Sequence, residues 1–185
     1  MITSKELKRA EKQLGALKHK APLVVSRSLN RAIAKANTTF SRESRKEYHL
    51  KAKTIKETIT VKKATRAALK AVTVSRGQRL GLKHFKVIPG HINRQNPEKS
   101  KPIKVAVKKD GGTKELRHAF ITEKLNDHIF ERKTEKRLPI KKLTSVAVPQ
   151  TFKNPEVRRK VRKDAMEAYY KRFDHEIKRI RETSK

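Results

Sequence analysis

Seven histidines, at positions 19, 49, 84, 91, 118, 128 and 175, are the side chains best suited to hold a metal or move a proton near neutral pH. None stands at metal-ligand spacing from another. His118 and His128 flank Asn126, an order loosely similar to the His-Asn-His arrangement of a metal-dependent nuclease. No cluster of Asp or Glu accompanies them to share the metal, and the local pattern is strand-like, so histidines on a strand surface or an interface are the favoured reading. The acids occur singly or beside bases, as in Glu131-Arg132 and Glu135-Lys136, which supports no paired-carboxylate site. With no cysteine at all, thiolate catalysis, disulfides and Cys-based zinc or iron–sulfur sites are excluded. Gly77 and Gly81 in Arg76-Gly77-Gln78-Arg79-Leu80-Gly81 match neither a P-loop nor a dinucleotide fingerprint, and punctuate strands instead.

What remains is charge. Fifty Lys and Arg against 18 Asp and Glu leave +32 on 185 residues. Such a chain repels itself when compact, so a polyanionic or acidic partner is expected to offset the cost, and nucleic acid is the commonest polyanion. Lys62, Lys63, Arg66, Arg76, Arg79, Lys83, Arg94, Lys104, Lys108 and Lys109 fall on expected strands and loops with few acids among them. They are the candidate phosphate contacts, which would be blind to base sequence and weakened by salt. The plainer reading, that the bases form a solvated face, stands beside this one, most of all on the helices. Six Phe, three Tyr and no Trp give no platform for stacking unpaired bases. No helix-turn-helix, zinc-finger or RNA-recognition signature is present.

The elements that must position these residues follow from hydrophobic period. Leu7, Ala10, Leu14 and Leu17 lie on one helical stripe from Ser4 to about Lys18, with Ser4 as N-cap. After the break at Ala21-Pro22, Val25, Leu29, Ala32, Ile33, Ala36 and Phe40 recur three and four apart, which predicts a long amphipathic helix reaching Tyr48. From about Thr58 the period becomes two: Ile59 and Val61, Val72 and Val74, Phe85 and Val87, then Ile103, Val105 and Val107. Asp110-Gly111-Gly112-Thr113 separates the Ile103 strand from an alternating run through Leu116, His118 and Phe120, which predicts a hairpin. Gly90 to Pro102 predicts a loop that orders only on assembly. Pro139 and Pro149 bracket Ile140 to Val148 and predict an extended stretch there. Asn154-Pro155-Glu156 supplies an N-cap, a first-turn proline and an acid for a last helix striped by Val157, Val161, Ala165, Ala168, Phe173, Ile177 and Ile180. Tyr169 is expected in the core or an interface.

The expected fold is α+β, with N-terminal helices, one antiparallel sheet of about five or six strands and a long C-terminal helix, the helices packed on one face of the sheet. One domain is expected over 1–185, helical over 1–50, mainly stranded over 58–150, and helical again over 155–183. The N-terminus lacks a signal-peptide core, and no run approaches the ~18 apolar residues of a membrane span, so the chain is expected to be soluble when made and to have no membrane partner.

Ser28-Leu29-Asn30-Arg31-Ala32, Arg42 to Tyr48, Ile55-Lys56-Glu57-Thr58 and Val61-Lys62-Lys63-Ala64 are followed by His118-Ala119-Phe120-Ile121 and Ile129-Phe130-Glu131-Arg132, and Leu138-Pro139-Ile140-Lys141-Lys142-Leu143 and Val148-Pro149-Gln150-Thr151-Phe152 complete the pattern. In their order these residues resemble the phage minor tail protein Z family of lambda-like tails across most of the chain. The resemblance implies a virion protein at the head-proximal end of the tail, assembled in the host cytoplasm and needed to make tails competent to join filled heads. It implies no catalysis and no cofactor. The implied partners are tail-tube, terminator or connector proteins, further copies of the chain in a ring, and packaged double-stranded DNA touched without sequence preference. A ribosomal or other basic RNA-binding protein is the alternative that composition alone leaves open, and a DNA-processing enzyme built on His118, Asn126 and His128 is a third.

Overall fold

The structure, a computed structural model, describes residues 3–88 and 102–183. The expected loop from Gly90, with Arg94 in it, therefore lies outside the described residues up to Pro102. Two compact units interleave along the chain: one takes Met1–Phe40, Ile59–Ser75 and Lys153–Lys185, the other Ser41–Thr58 and Arg76–Phe152.

The first unit is built on three helices. Helix α1 (Thr3–Leu14) buries Ala10 and Leu14. It stops at Gly15, whose φ of 56° is the left-handed conformation that ends helices at little cost to glycine. A 3-10 turn over Gly15–Lys20 leads into α2 (Ala21–Glu47), where Pro22 falls in the first turn and its missing N–H loses no bond. Helix α5 (Pro155–Thr183) opens as the sequence specifies, with the Glu156 N–H donating to Asn154 Oδ1 at 2.9 Å. Ala10, Leu14, Ala21, Val24, Val25, Tyr169, Phe173, Ile177 and Ile180 form its core, with Leu7, Leu17, Leu29 and Leu69 packed against them. Burial of each large side chain is worth about 1.5–3 kcal/mol, and Tyr169 is placed in the core as expected.

The same unit holds a two-stranded ribbon. Strand β1 (Ile59–Lys62) pairs antiparallel with β2 (Val72–Ser75), from Ile59 opposite Ser75 to Lys62 opposite Val72. A lone hairpin is marginal in water. Asn30 on α2 anchors this one through both its amide atoms: Nδ2 donates to the Ala64 carbonyl at 2.9 Å, and the Ala64 N–H donates to Oδ1 at 2.8 Å.

The second unit takes the last turns of α2, a short α3 (Ala52–Glu57) and two sheets. In one, β3 (Lys86–Ile88), β4 (Ile103–Ala106) and β5 (Lys114–Leu116) are antiparallel neighbours in that order. In the other, β6 (Ala119–Thr122), β7 (His128–Arg132) and β8 (Ile140–Lys142) are. Ile55, Leu82, Phe85, Ile103, Val105, Ile129 and Val148 are buried. Ser44 and Thr151 share a buried hydrogen bond of 3.0 Å, which joins the end of α2 to α4 (Val148–Thr151).

The α+β class agrees with expectation, and the sheet architecture corrects it. In place of one sheet there are, among the described residues, eight short strands in three separate antiparallel sheets, so no single face exists for the helices to cover. The strands among the described residues are only three to five residues long. The hairpin expected at Asp110–Thr113 is present, with Ile103 opposite Leu116. Its second arm stops at Leu116, however, and Ala119 opens a strand of the other sheet. The stretch between Pro139 and Pro149 is extended through β8 and then turns helical at Val148.

Candidate functional site

Of the ten bases singled out from sequence, the nine that fall among the described residues divide between the two units. Lys62, Lys63 and Arg66 stand exposed at the end of β1 and in its connection to β2. The stretch from Ile59 to Ser75 that holds them also has Lys70 and contains no acid. In the second unit, Arg76 and Arg79 are exposed between β2 and the Gly81 bridge to Thr144. Lys83 Nζ donates to the Asn126 carbonyl at 2.7 Å. Lys104 Nζ lies 3.6 Å from Glu115, and Lys108 Nζ lies 3.6 Å from Glu47 and 5.8 Å from the centre of the Tyr48 ring. Lys109 is exposed in the turn that follows. Exposed pairs of this length are worth about 0–1 kcal/mol, so Lys104 and Lys108 can exchange their acids for phosphate at little cost. The set is thus a dispersed cationic surface on each unit, not one convergent patch.

The histidines converge differently from the nuclease order. His118 is exposed in the turn before β6, while His128 opens β7 opposite Thr122 at the far end of that strand. Four residues at ~3.3 Å each put them roughly 13 Å apart along the sheet. His128 instead meets Lys142, whose Nζ lies 3.1 Å from its Nε2, and His84, whose ring centre is 6.4 Å away. Burial first, then the charges of Lys142 and Lys83, hold His128 below the usual histidine range; burial and the same two lysines lower His84. A cation is repelled by such a group. No cluster of three or more His, Asp or Glu able to hold a metal occurs among the described residues.

Two features were missed from sequence, both between α2 and α5. Glu176 is fully buried on the core stripe of α5, where its Oε2 accepts from Arg27 Nη1 and Arg179 Nη2, each at 2.9 Å, and Arg172 pairs with Oε1. Burial pushes its carboxyl up, but the hydrogen bonds from Arg27 and Arg179 and the nearby charge of Arg172 outweigh it and hold the group below the usual carboxylate range. The Thr39 hydroxyl donates to Asp164 Oδ2 at 2.7 Å. Because 27 meets 176 and 39 meets 164, the two helices run antiparallel.

Between these two ties lies an open groove of about 600 Å³, with Arg31 and Lys35 on the α2 wall and Asp164, Glu167, Ala168, Lys171, Arg172 and His175 on the α5 wall. Sequence reading took the bases on the helices as a solvated face and so did not single these out. The available signal was spacing, since Arg31 and Lys35, like Lys171 and His175, are four apart and so share a helical face.

A family model described as prophage minor tail protein Z (GPZ) matches residues 4–182. Comparison with curated proteins finds no match, and comparison with solved structures finds none. No helix among the described residues is long and apolar enough to cross a membrane.

Proposed function

Because the chain belongs to the prophage minor tail protein Z family, a family of phage tail components, we propose that it is a non-catalytic structural protein at the head-proximal end of the tail. There it completes the tail for joining to a filled head, as several copies in a ring around the tail axis, beside a terminator or connector. Its exposed bases face the packaged duplex and hold the DNA end without reading it. The observation that carries this reading is the family match over nearly the whole chain, in a protein that bears +32 and spreads its bases over the surfaces of both units.

The physical argument is one of counter-charge. A duplex presents about one negative charge per 1.7 Å, and each cation that meets a phosphate releases condensed counterions. Dispersed bases on short strands and helices can contact a backbone, whereas the few aromatics give no means of reading bases. Family membership favours this reading over an RNA-binding one. The test is binding to two duplexes of unrelated sequence as salt rises. Six or more phosphate contacts at ~0.9 ions each predict a slope of about −5 or steeper in log affinity against log salt, equal for both duplexes. A strong preference for one sequence, or a slope near zero, would overturn it.

A further inference from the structure

We infer that the groove between α2 and α5 is a binding site for a phosphodiester backbone, seated by Arg31 and Lys35 from one wall and Lys171 from the other. This inference rests on the proposed function for the source of the phosphates, and it names where they bind.

Arg31, Lys35 and Lys171 are exposed cations facing one concavity. None of the three makes an ion pair among the described residues, in contrast to Arg172 beside them, which pairs with Glu176. Holding three unpaired cations around one concavity costs energy through mutual repulsion, and an anion in the groove relieves it.

The antiparallel helices also give the groove a direction. Thr39 fixes Asp164 at one end, with Glu167 one turn further along α5. Counting back along α2 from its ties to α5, Lys35 falls near the level of Ala168 and Arg31 near that of Arg172. The acids therefore occupy one end and the cations the middle and the other end.

Volume and chemistry select the occupant. At about 600 Å³ the groove matches clefts that take small ligands, ~300–1,000 Å³, which suits a few sugar-phosphate units and not the body of a duplex. A helix or strand from an acidic protein needs apolar anchor pockets to dock, and Ala168 is the one apolar side chain in the lining. A backbone of phosphates needs only charge and hydrogen-bond donors, and the Arg31 guanidinium offers the fork that matches a phosphate's two oxygens. The walls are rigid as well, since α2 and α5 are tied on either side of the groove by the Glu176 arginines and by Thr39.

The test compares two triple variants that lose the same charge. One is Arg31→Gln, Lys35→Gln and Lys171→Gln in the groove; the other is Lys8→Gln, Lys12→Gln and Lys18→Gln on the exposed side of α1 and its following turn. Glutamine keeps helix propensity, and unfolding midpoints confirm that each variant is folded. A double variant with one change from each wall, Arg31→Gln with Lys171→Gln, provides a milder version. The probe is a mixed-sequence 20-bp duplex titrated across salt, with poly-glutamate as a second ligand.

Three lost phosphate contacts should make the slope shallower by about 2.7, and the double variant by about 1.8, with affinity near 0.15 M salt falling on the order of a hundredfold for the groove triple. The α1 triple should change the slope by less than about 1. Equal losses in both triples would overturn the groove as a site while leaving the proposed function in place. Loss of poly-glutamate binding with duplex binding intact would overturn the assignment to phosphate in favour of an acidic protein. No duplex binding by the unaltered chain would overturn both the groove and the DNA contact.

Discussion

Replacing Glu176 by glutamine tests how the first unit tolerates its own charge. The substitution is nearly isosteric, so packing on the α5 stripe is kept while Arg27, Arg172 and Arg179 are left converging on a neutral amide. Breaking a fully buried ion pair costs about 3–5 kcal/mol. The carboxylate here is fully buried, but the three guanidinium groups are 40–47% exposed and partly screened by water. Each contact therefore counts nearer the ~1 kcal/mol of an exposed pair, and the three together give about 2–3 kcal/mol.

For a chain of this size ~1 kcal/mol moves the melting midpoint by about 2–4 °C, so Glu176→Gln should melt about 5–10 °C lower at pH 7 by circular dichroism. The pH dependence has a definite sign. Glu176 has a depressed pKa in the folded state, so its contribution is complete above the unfolded value of about 4.3 and is lost as pH falls through the folded value. The gap between the two proteins should stay constant from about pH 7 to pH 5 and close below about pH 4. A midpoint shift under about 1 °C at pH 7, or a gap that persists undiminished in acid, would refute the reasoning.

Two further substitutions probe the frame around the candidate surfaces. Asn30→Ala strips the Ala64 N–H and carbonyl of both partners at a buried position; at ~1–1.5 kcal/mol per bond it should cost about 2–3 kcal/mol, and amide exchange in β1 and β2 should accelerate while that in β6 to β8 does not. Gly81→Ala places a methyl 2.9 Å from His128 Nδ1 and 3.0 Å from Lys142 Cε. The lysine end can swing away and the imidazole, held on β7, cannot do so as freely, so a loss of about 1–3 kcal/mol is expected in urea unfolding; a neutral result would show that His128 is not fixed against the Gly81 bridge.

The helices were the most legible part of the sequence because each signal was local and several agreed. Asn154, Pro155 and Glu156 mark the start of α5 in three consecutive residues, and the structure begins the helix there. The stripe from Leu7 to Leu17 and the break at Ala21-Pro22 likewise signalled α1 and the start of α2, although α1 ends at Leu14, where Gly15 takes a left-handed φ, short of the expected Lys18. The strands were legible one at a time through alternation, as at Val72 and Val74, but their partners were not. Alternation says which face a residue takes and nothing about which strand lies beside it. Leu116 and Phe120 illustrate the loss: they alternate in one run, yet the Arg117-His118 turn sends them to different sheets.

The candidate site was legible only as composition. The excess of Lys and Arg is plain in a count, whereas the groove exists because Thr39 meets Asp164 and Arg27 meets Glu176 across more than a hundred residues of chain. Glu176 carried a weak signal, a lone acid among Phe173, Ile177 and Ile180 on an apolar stripe. Its three arginines are on two helices, and only the packing of α2 against α5 brings them together.

The most direct test of the proposed function is particle assembly by a phage that lacks this chain. Electron microscopy of its lysates should show filled heads and full-length tails that remain separate, and purified protein added at low salt should restore joining. Joined, infectious particles in normal number without the protein would contradict the account.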